Sequence, residues 1–170
     1  MRNNQAKSIA LGGMLAALAL VIMCLGGLIP VATYVCPVLC MLLLSFVLGL
    51  CGRRLAWAWY SAVMLLCFLM APDKEAAVVF AFLGYYPIIK PKIDRMPLRW
   101  LWKLLLFNAM IFLAYSVLIY LLGIAQVASE FRQLGLWLTG ITLLLGNLCL
   151  FVLDRLLGIL HFKFAKRSIK

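Results

Sequence analysis

Six apolar runs, each close to the length that a bilayer demands, follow one another with little chain left between them. A helix needs about 20 apolar residues to cross a hydrocarbon core of roughly 30 Å. The runs 9–29, 35–50, 55–71, 76–93, 100–123 and 136–154 together take up nearly all of the 170 residues. Chain breakers and charges divide them: Pro30 closes the first, Gly52-Arg53-Arg54 the second, and Pro72-Asp73-Lys74-Glu75 the third. The fourth meets Lys90 after fourteen apolar-rich residues. Its helix is expected to continue to Ile93, kinked at Pro87 and Pro91, with the Lys90 ammonium snorkelling to the head groups.

Composition closes off the alternatives. Hydrophobic residues make up 67% of the chain and charged ones 12%, against about 45–50% and 25% in a soluble domain. No water-facing surface can be built from such a sequence. A soluble enzyme, a disordered tail and a cytosolic nucleic-acid-binding module are therefore excluded. The expected fold is all-α: one integral membrane domain over 1–170, a polytopic bundle of six transmembrane helices. The first run has a basic start, but its apolar part exceeds the 7–15 residues of a signal peptide and no small-x-small cleavage site follows. It reads as a retained helix.

The net charge of +11 fixes an orientation rather than a nucleic-acid partner. With the N-terminus inside, the inner segments hold Arg2, Lys7, Arg53, Arg54, Lys90, Lys92, Arg95, Arg99, Lys103, Arg155, Lys163, Lys166, Arg167 and Lys170. The outer segments keep Lys74 and Arg132 beside Asp73, Glu75 and Glu130. Cytoplasmic loops carry the excess of Lys and Arg, so both termini are expected inside. Anionic membrane lipids are the natural partner of these clusters.

Side chains able to do chemistry are scarce. Cys24, Cys36, Cys40, Cys51, Cys67 and Cys149 lie mostly within apolar runs, where a free thiol behaves as a small hydrophobe. Cys36 and Cys40 have helical i, i+4 spacing, but a metal site needs further ligands, and the one histidine, His161, stands in the basic tail. Asp73 and Glu75 share one outer turn. Asp94 lies among basic residues, and Asp154 is followed by Arg155, which reads as an interfacial ion pair. No nucleophile–base pair, paired acids or metal set emerges. The reading is neither an enzyme nor a cofactor protein.

Two other patterns stand out. Gly12 with Ala16, and Gly13 with Ala17, place small residues four apart on helix one, which lets another helix approach to backbone contact. Polar residues inside spans are costly and mark sites: Thr139, Thr142 and Asn147 on the sixth run, and Asn108, Tyr115 and Ser116 on the fifth. Asn108 and Tyr115 are seven apart and share a face, so the set is expected to line a cavity open to the outside. For single residues the ordinary alternatives are back-bonding of Ser and Thr to their own helix and an Asn joining two helices. The outer connection 26–37, with Thr33 and Tyr34, is apolar and rich in Gly and Pro and reads as a flap at the outer leaflet. The inner turn 84–95 mixes aromatic and basic residues and reads as an interfacial belt.

The layout of six short spans with both ends inside, and a first helix reading Ala10-Leu11-Gly12-Gly13-Met14-Leu15-Ala16-Ala17-Leu18-Ala19, resembles the substrate-binding S components of energy-coupling factor transporters. In that family an Ala-x-x-x-Ala pattern on helix one docks onto a transmembrane coupling subunit. Here Gly13 and Ala17, or Gly12 and Ala16, take its place, with Gly for the first Ala. The resemblance implies a small micronutrient, vitamin-like, bound from outside under the 26–37 loop. Substrate-binding residues would then be Thr33, Tyr34, Asn108, Tyr115, Thr142 and Asn147. It also implies a bacterial-type cytoplasmic membrane, a coupling subunit and two cytoplasmic ATPases. Two alternatives stay open: a non-transporting scaffold like the small multi-span subunit of rod-shape machinery, and a lipid-linked-substrate flippase or lipid-modifying protein holding phosphate at 86–99.

Overall fold

Helices account for every regular element of the computed structural model, which describes residues 2–26, 32–120, 144, 146–148 and 150–159. They are α1 (Arg2–Gly26), α2 (Ala32–Cys51), α3 (Arg53–Met70), α4 (Lys74–Leu83), α5 (Tyr86–Ile93) and α6 (Arg99–Tyr120), followed by a helical stretch over 150–159. Among the described residues, three helices are long and apolar enough to cross a membrane: Ala6–Gly26, Lys74–Ile93 (α4 and α5 taken together) and Arg99–Leu118. Val35–Cys51 is apolar but shorter. Helix α3 opens on Arg53 and Arg54 and carries Trp57, Trp59 and Tyr60 in its first half, which leaves a shorter purely apolar part. Only the later residues of the expected sixth span are among those described.

The joints are short and chemically explicit. A single residue, Gly52 at φ 86°, separates α2 from α3; that left-handed conformation favours glycine and folds the two helices into a hairpin. Asp73 caps α4 by accepting from the Ala76 amide at 3.1 Å, the usual role of an aspartate at this position. The expected kink falls earlier than Pro87. The helix breaks at Gly84-Tyr85, where a Cβ on Gly84 would lie 2.9 Å from the Phe80 ring, and Pro87 sits in the first turn of α5, where its missing N–H costs nothing. The expected end at Ile93 matches α5.

Helix α2 is central, packed against α1, α3, α4 and α5, while α6 lies against α4. Its one face joins Cys40, Leu44 and Val47 to Met23, Trp59, Val63 and Phe80. Its other face brings Met41 to Leu83, Tyr86, Phe107, Leu150, Leu153 and Leu157. Outward positions are as apolar as inward ones: Met14, Leu69 and Phe112 are each exposed over 74–79% of their surface. Exposed apolar patches of this extent mark a surface that meets something other than water.

Candidate functional site

Helix α5 sets Tyr86, Lys90 and Asp94 at i, i+4 and i+8, a spacing that stacks side chains on one face. That face meets Lys103, one turn into α6, and Asp154 on the helix over 150–159. The Tyr86 hydroxyl donates to Asp154 Oδ1 at 2.6 Å. Lys90 binds the same oxygen and reaches Asp94 Oδ2 at 3.2 Å. Lys103 Nζ bridges Asp94 Oδ1 at 2.5 Å and Asp154 Oδ2 at 2.9 Å. Two ammonium groups and two carboxylates thus cancel within one cluster. Leu83, Ile93, Phe107, Leu150, Leu153 and Leu157 wall it in.

Lys90 and Lys103 are buried, at 8% and 6% exposure. Charges this deep are tolerated only when paired and hydrogen-bonded. Among the described residues, no buried side-chain nitrogen or oxygen lacks a partner. The cluster corrects three expectations. Lys90 does not snorkel; with Asp154 and Asp94 within reach, pairing inside the protein replaces solvation at the head groups. Tyr86 is part of the packed cluster rather than of an interfacial belt. Asp154 binds Lys90, Lys103 and Tyr86 instead of Arg155, whose guanidinium lies 5.4 Å from the centre of the Phe151 ring. Two carboxylates from separate elements do converge, though two lysines stand between them.

At the opposite end of the bundle a second group of polar side chains gathers. Thr33, in the first turn of α2, donates to Asp73 Oδ2 at 2.7 Å. Tyr115 of α6 donates to Glu75 Oε1 at 3.2 Å, and the Lys74 ammonium donates to the Phe68 carbonyl at 2.8 Å. Deeper along α6, Asn108 and Asn147 exchange amide hydrogen bonds at 3.4 and 3.5 Å, and Asn108 also bonds back to the Leu104 carbonyl at 2.9 Å. Ser116 bonds back to Phe112 at 2.8 Å. Of the expected substrate-binding residues, Thr33 and Tyr115 meet the Asp73-Glu75 turn, and Asn108 meets Asn147. The side chain of Tyr34 and all of Thr142 and Thr139 lie outside the described residues, as does His161.

Helix α1 divides its small residues between two directions. Gly12 is buried and faces α3: its carbonyl accepts from Trp59 Nε1 at 3.0 Å, and a Cβ there would stand 3.4 Å from Leu55. Ala16 packs against the same core. Gly13 and Ala17 are exposed, and nothing lies within 4 Å of a Cβ placed on Gly13. The free thiols of Cys36, Cys40 and Cys67 are buried; Cys40 Sγ lies 3.6 Å from the Ala19 carbonyl oxygen. Among the described residues no cluster of His, Cys, Asp or Glu is suited to a metal.

Lys103 is the functional candidate that sequence reading passed over. Its signal was present: Lys103, Lys90 and Asp154 each lie at or inside the edge of an apolar run, where a charge is costly unless paired. No protein-family model matches the chain, and neither a curated protein nor a solved structure matches it.

Proposed function

We propose that the chain is a membrane subunit that binds a small solute from outside, in the manner of an S component, and hands it over only with the help of a coupling subunit and two ATPases. The observation that carries this reading is the unlikeness of the two ends of the bundle. One end is tied across α5, α6 and the 150–159 helix by a charge-neutral network. The other gathers Thr33, Asp73, Glu75 and Tyr115 from α2, α4 and α6. With basic segments inside, the tied end faces the cytoplasm and the polar end faces out. A bundle of this kind takes a solute from one side and does not release it to the other unaided.

Six spans with both termini inside complete the proposal. The solute lies beneath the expected flap 26–37, of which residues 32–37 are the opening turns of α2 rather than loop, in reach of Thr33, Tyr34, Asn108, Tyr115, Thr142 and Asn147. The outward small residues Gly13 and Ala17 serve the coupling subunit, since Gly12 and Ala16 are occupied by α3. The chain performs no catalysis in this scheme. Engagement of Lys90 by two carboxylates removes it as a phosphate ligand and weakens the flippase alternative.

The test is a mild-detergent pull-down from native membranes with proteomics and mass spectrometry of retained small molecules. A polytopic partner together with two ATPases is expected, and a retained vitamin-like compound would name the solute. Cell-wall or cytoskeletal proteins, with neither ATPase nor ligand, would replace this reading with the scaffold. Orientation is checked separately: a cysteine at position 74 should react with an impermeant maleimide added outside, and one at position 53 should not.

A further inference from the structure

The buried cluster consumes Asp94 and Asp154, the two carboxylates nearest the basic turn between α5 and α6. Among the described residues, none therefore remains to pair with Lys92, Arg95, Arg99 or Arg155, all of which are exposed. Lys90 and Lys103 serve the interior, while Lys92 and these three arginines are left outside. The aromatic packing then brings Arg155, from a distant part of the chain, to the foot of α6, the helix that Arg99 opens. Trp100 stacks on Phe151 at 5.2 Å between ring centres and 25° between planes, and Arg155 lies over the same Phe151 ring. Arg99 is next to Trp100 in the chain. Beside them Leu98 and Leu101 are exposed over 74% and 61% of their surface, at the start of a helix apolar enough to cross a membrane.

We infer that this edge is a head-group site for an anionic phospholipid. Arg99 and Arg155 take the phosphodiester, for which a guanidinium fork is better suited than an ammonium. Arg95 and Lys92 add attraction toward a head group bearing net negative charge. The Trp100–Phe151 stack sits at the polar–apolar boundary, where indole rings are favoured, and Leu98 and Leu101 face the first acyl methylenes. An acidic protein would match the charge but not this apolar border at the foot of a spanning helix. The inference requires the chain to lie in a bilayer and is independent of any solute it carries.

The full chain, reconstituted in nanodiscs of phosphatidylcholine with one part in five phosphatidylglycerol, is released and its retained lipids are weighed by native mass spectrometry. Wild type is expected to retain phosphatidylglycerol well above its share. The R99Q/R155Q variant should lose that preference by about tenfold or more, at about 1 kcal/mol per basic residue, which is about fivefold each. The R53Q/R54Q variant, with the same charge removed from the α2–α3 turn, should keep it. Equal loss in both variants would reduce the effect to bulk positive charge and overturn the site. Absence of enrichment in wild type would overturn it too and leave the edge to a protein partner. Retention of the full preference by R99K/R155K would refute the fork geometry. Both arginines are exposed, so unchanged melting of the variants verifies that they fold.

Discussion

Lys103 Nζ lies 2.9 Å from Asp154 Oδ2, and 51 positions of sequence separate the two residues. The contact fastens the start of α6 to the helix over 150–159. With Lys90 and Asp94 on its flank, it is one edge of a four-charge network that is buried at Lys90 and Lys103 and reaches the surface at Asp94. Burying such a network against replacing it with hydrocarbon is close to neutral, but removing one member strands the others.

Asp154→Asn should therefore destabilise the protein by about 3–5 kcal/mol, read as a lowered midpoint of thermal unfolding in micelles. The combined replacement Lys90→Met, Lys103→Met, Asp94→Leu and Asp154→Leu should recover most of that loss. If Asp154→Asn melts with wild type, the network contributes nothing to holding the bundle together.

The two neighbouring glycines of α1 should part company. Gly12→Leu drives a side chain into Leu55 and should cost about 1–3 kcal/mol, the usual penalty of overpacking. A Cβ on Gly13 meets nothing within 4 Å, so Gly13→Leu, on an exposed face, should stay within about 0.5 kcal/mol of wild type. On the proposed function, Gly13→Leu nonetheless abolishes uptake while leaving ligand binding by the isolated chain intact; loss of both would make the outward stripe irrelevant to docking.

Much of the helical layout was legible because it rests on local signals. Gly52, Asp73 and the prolines announce the joints, and apolar run length announces the helices. The pairing on Asp154 was not legible, because Lys90 and Lys103 stand 64 and 51 positions from it, whereas Lys90 and Asp94 are only an i, i+4 pair. Lys90 shows the difficulty: snorkelling and internal pairing demand the same residue at the same depth. The polar residues of α6 were correctly placed on it, but Asn108 and Asn147 satisfy each other and Ser116 satisfies its own helix. Periodicity gives a face and says nothing of the partner waiting there.

Asp73 holds two elements at once, through Ala76 N and Thr33 Oγ1. Asp73→Ala should cost about 1 kcal/mol for the lost cap and further free energy for the stranded hydroxyl. Thr33→Val should cost less, since the cap survives. Hydrogen exchange of the first α4 amides distinguishes them: fast exchange is expected in Asp73→Ala alone, and equal exchange in both variants would contradict the cap.

Tyr115→Phe removes one hydroxyl from the polar group formed with Glu75 and its neighbours without altering shape. Once a solute is identified, this change should weaken its binding about tenfold if the hydroxyl contacts it, in line with about 1.5 kcal/mol for one hydrogen bond. Titration calorimetry on the reconstituted chain gives the answer, and unchanged affinity would move the solute away from Tyr115.

Synthesis runs from the N-terminal side, so Lys90 and Lys103 are made 64 and 51 residues before Asp154. Until then Asp94 alone stands between two ammonium groups in an apolar setting, and the nascent bundle carries an unmatched positive charge. Arrival of the 150–159 helix removes it. The carboxylate that closes the network is thus the last of its four charges to be made, and a chain cut short before residue 154 keeps one cation unmatched within the cluster.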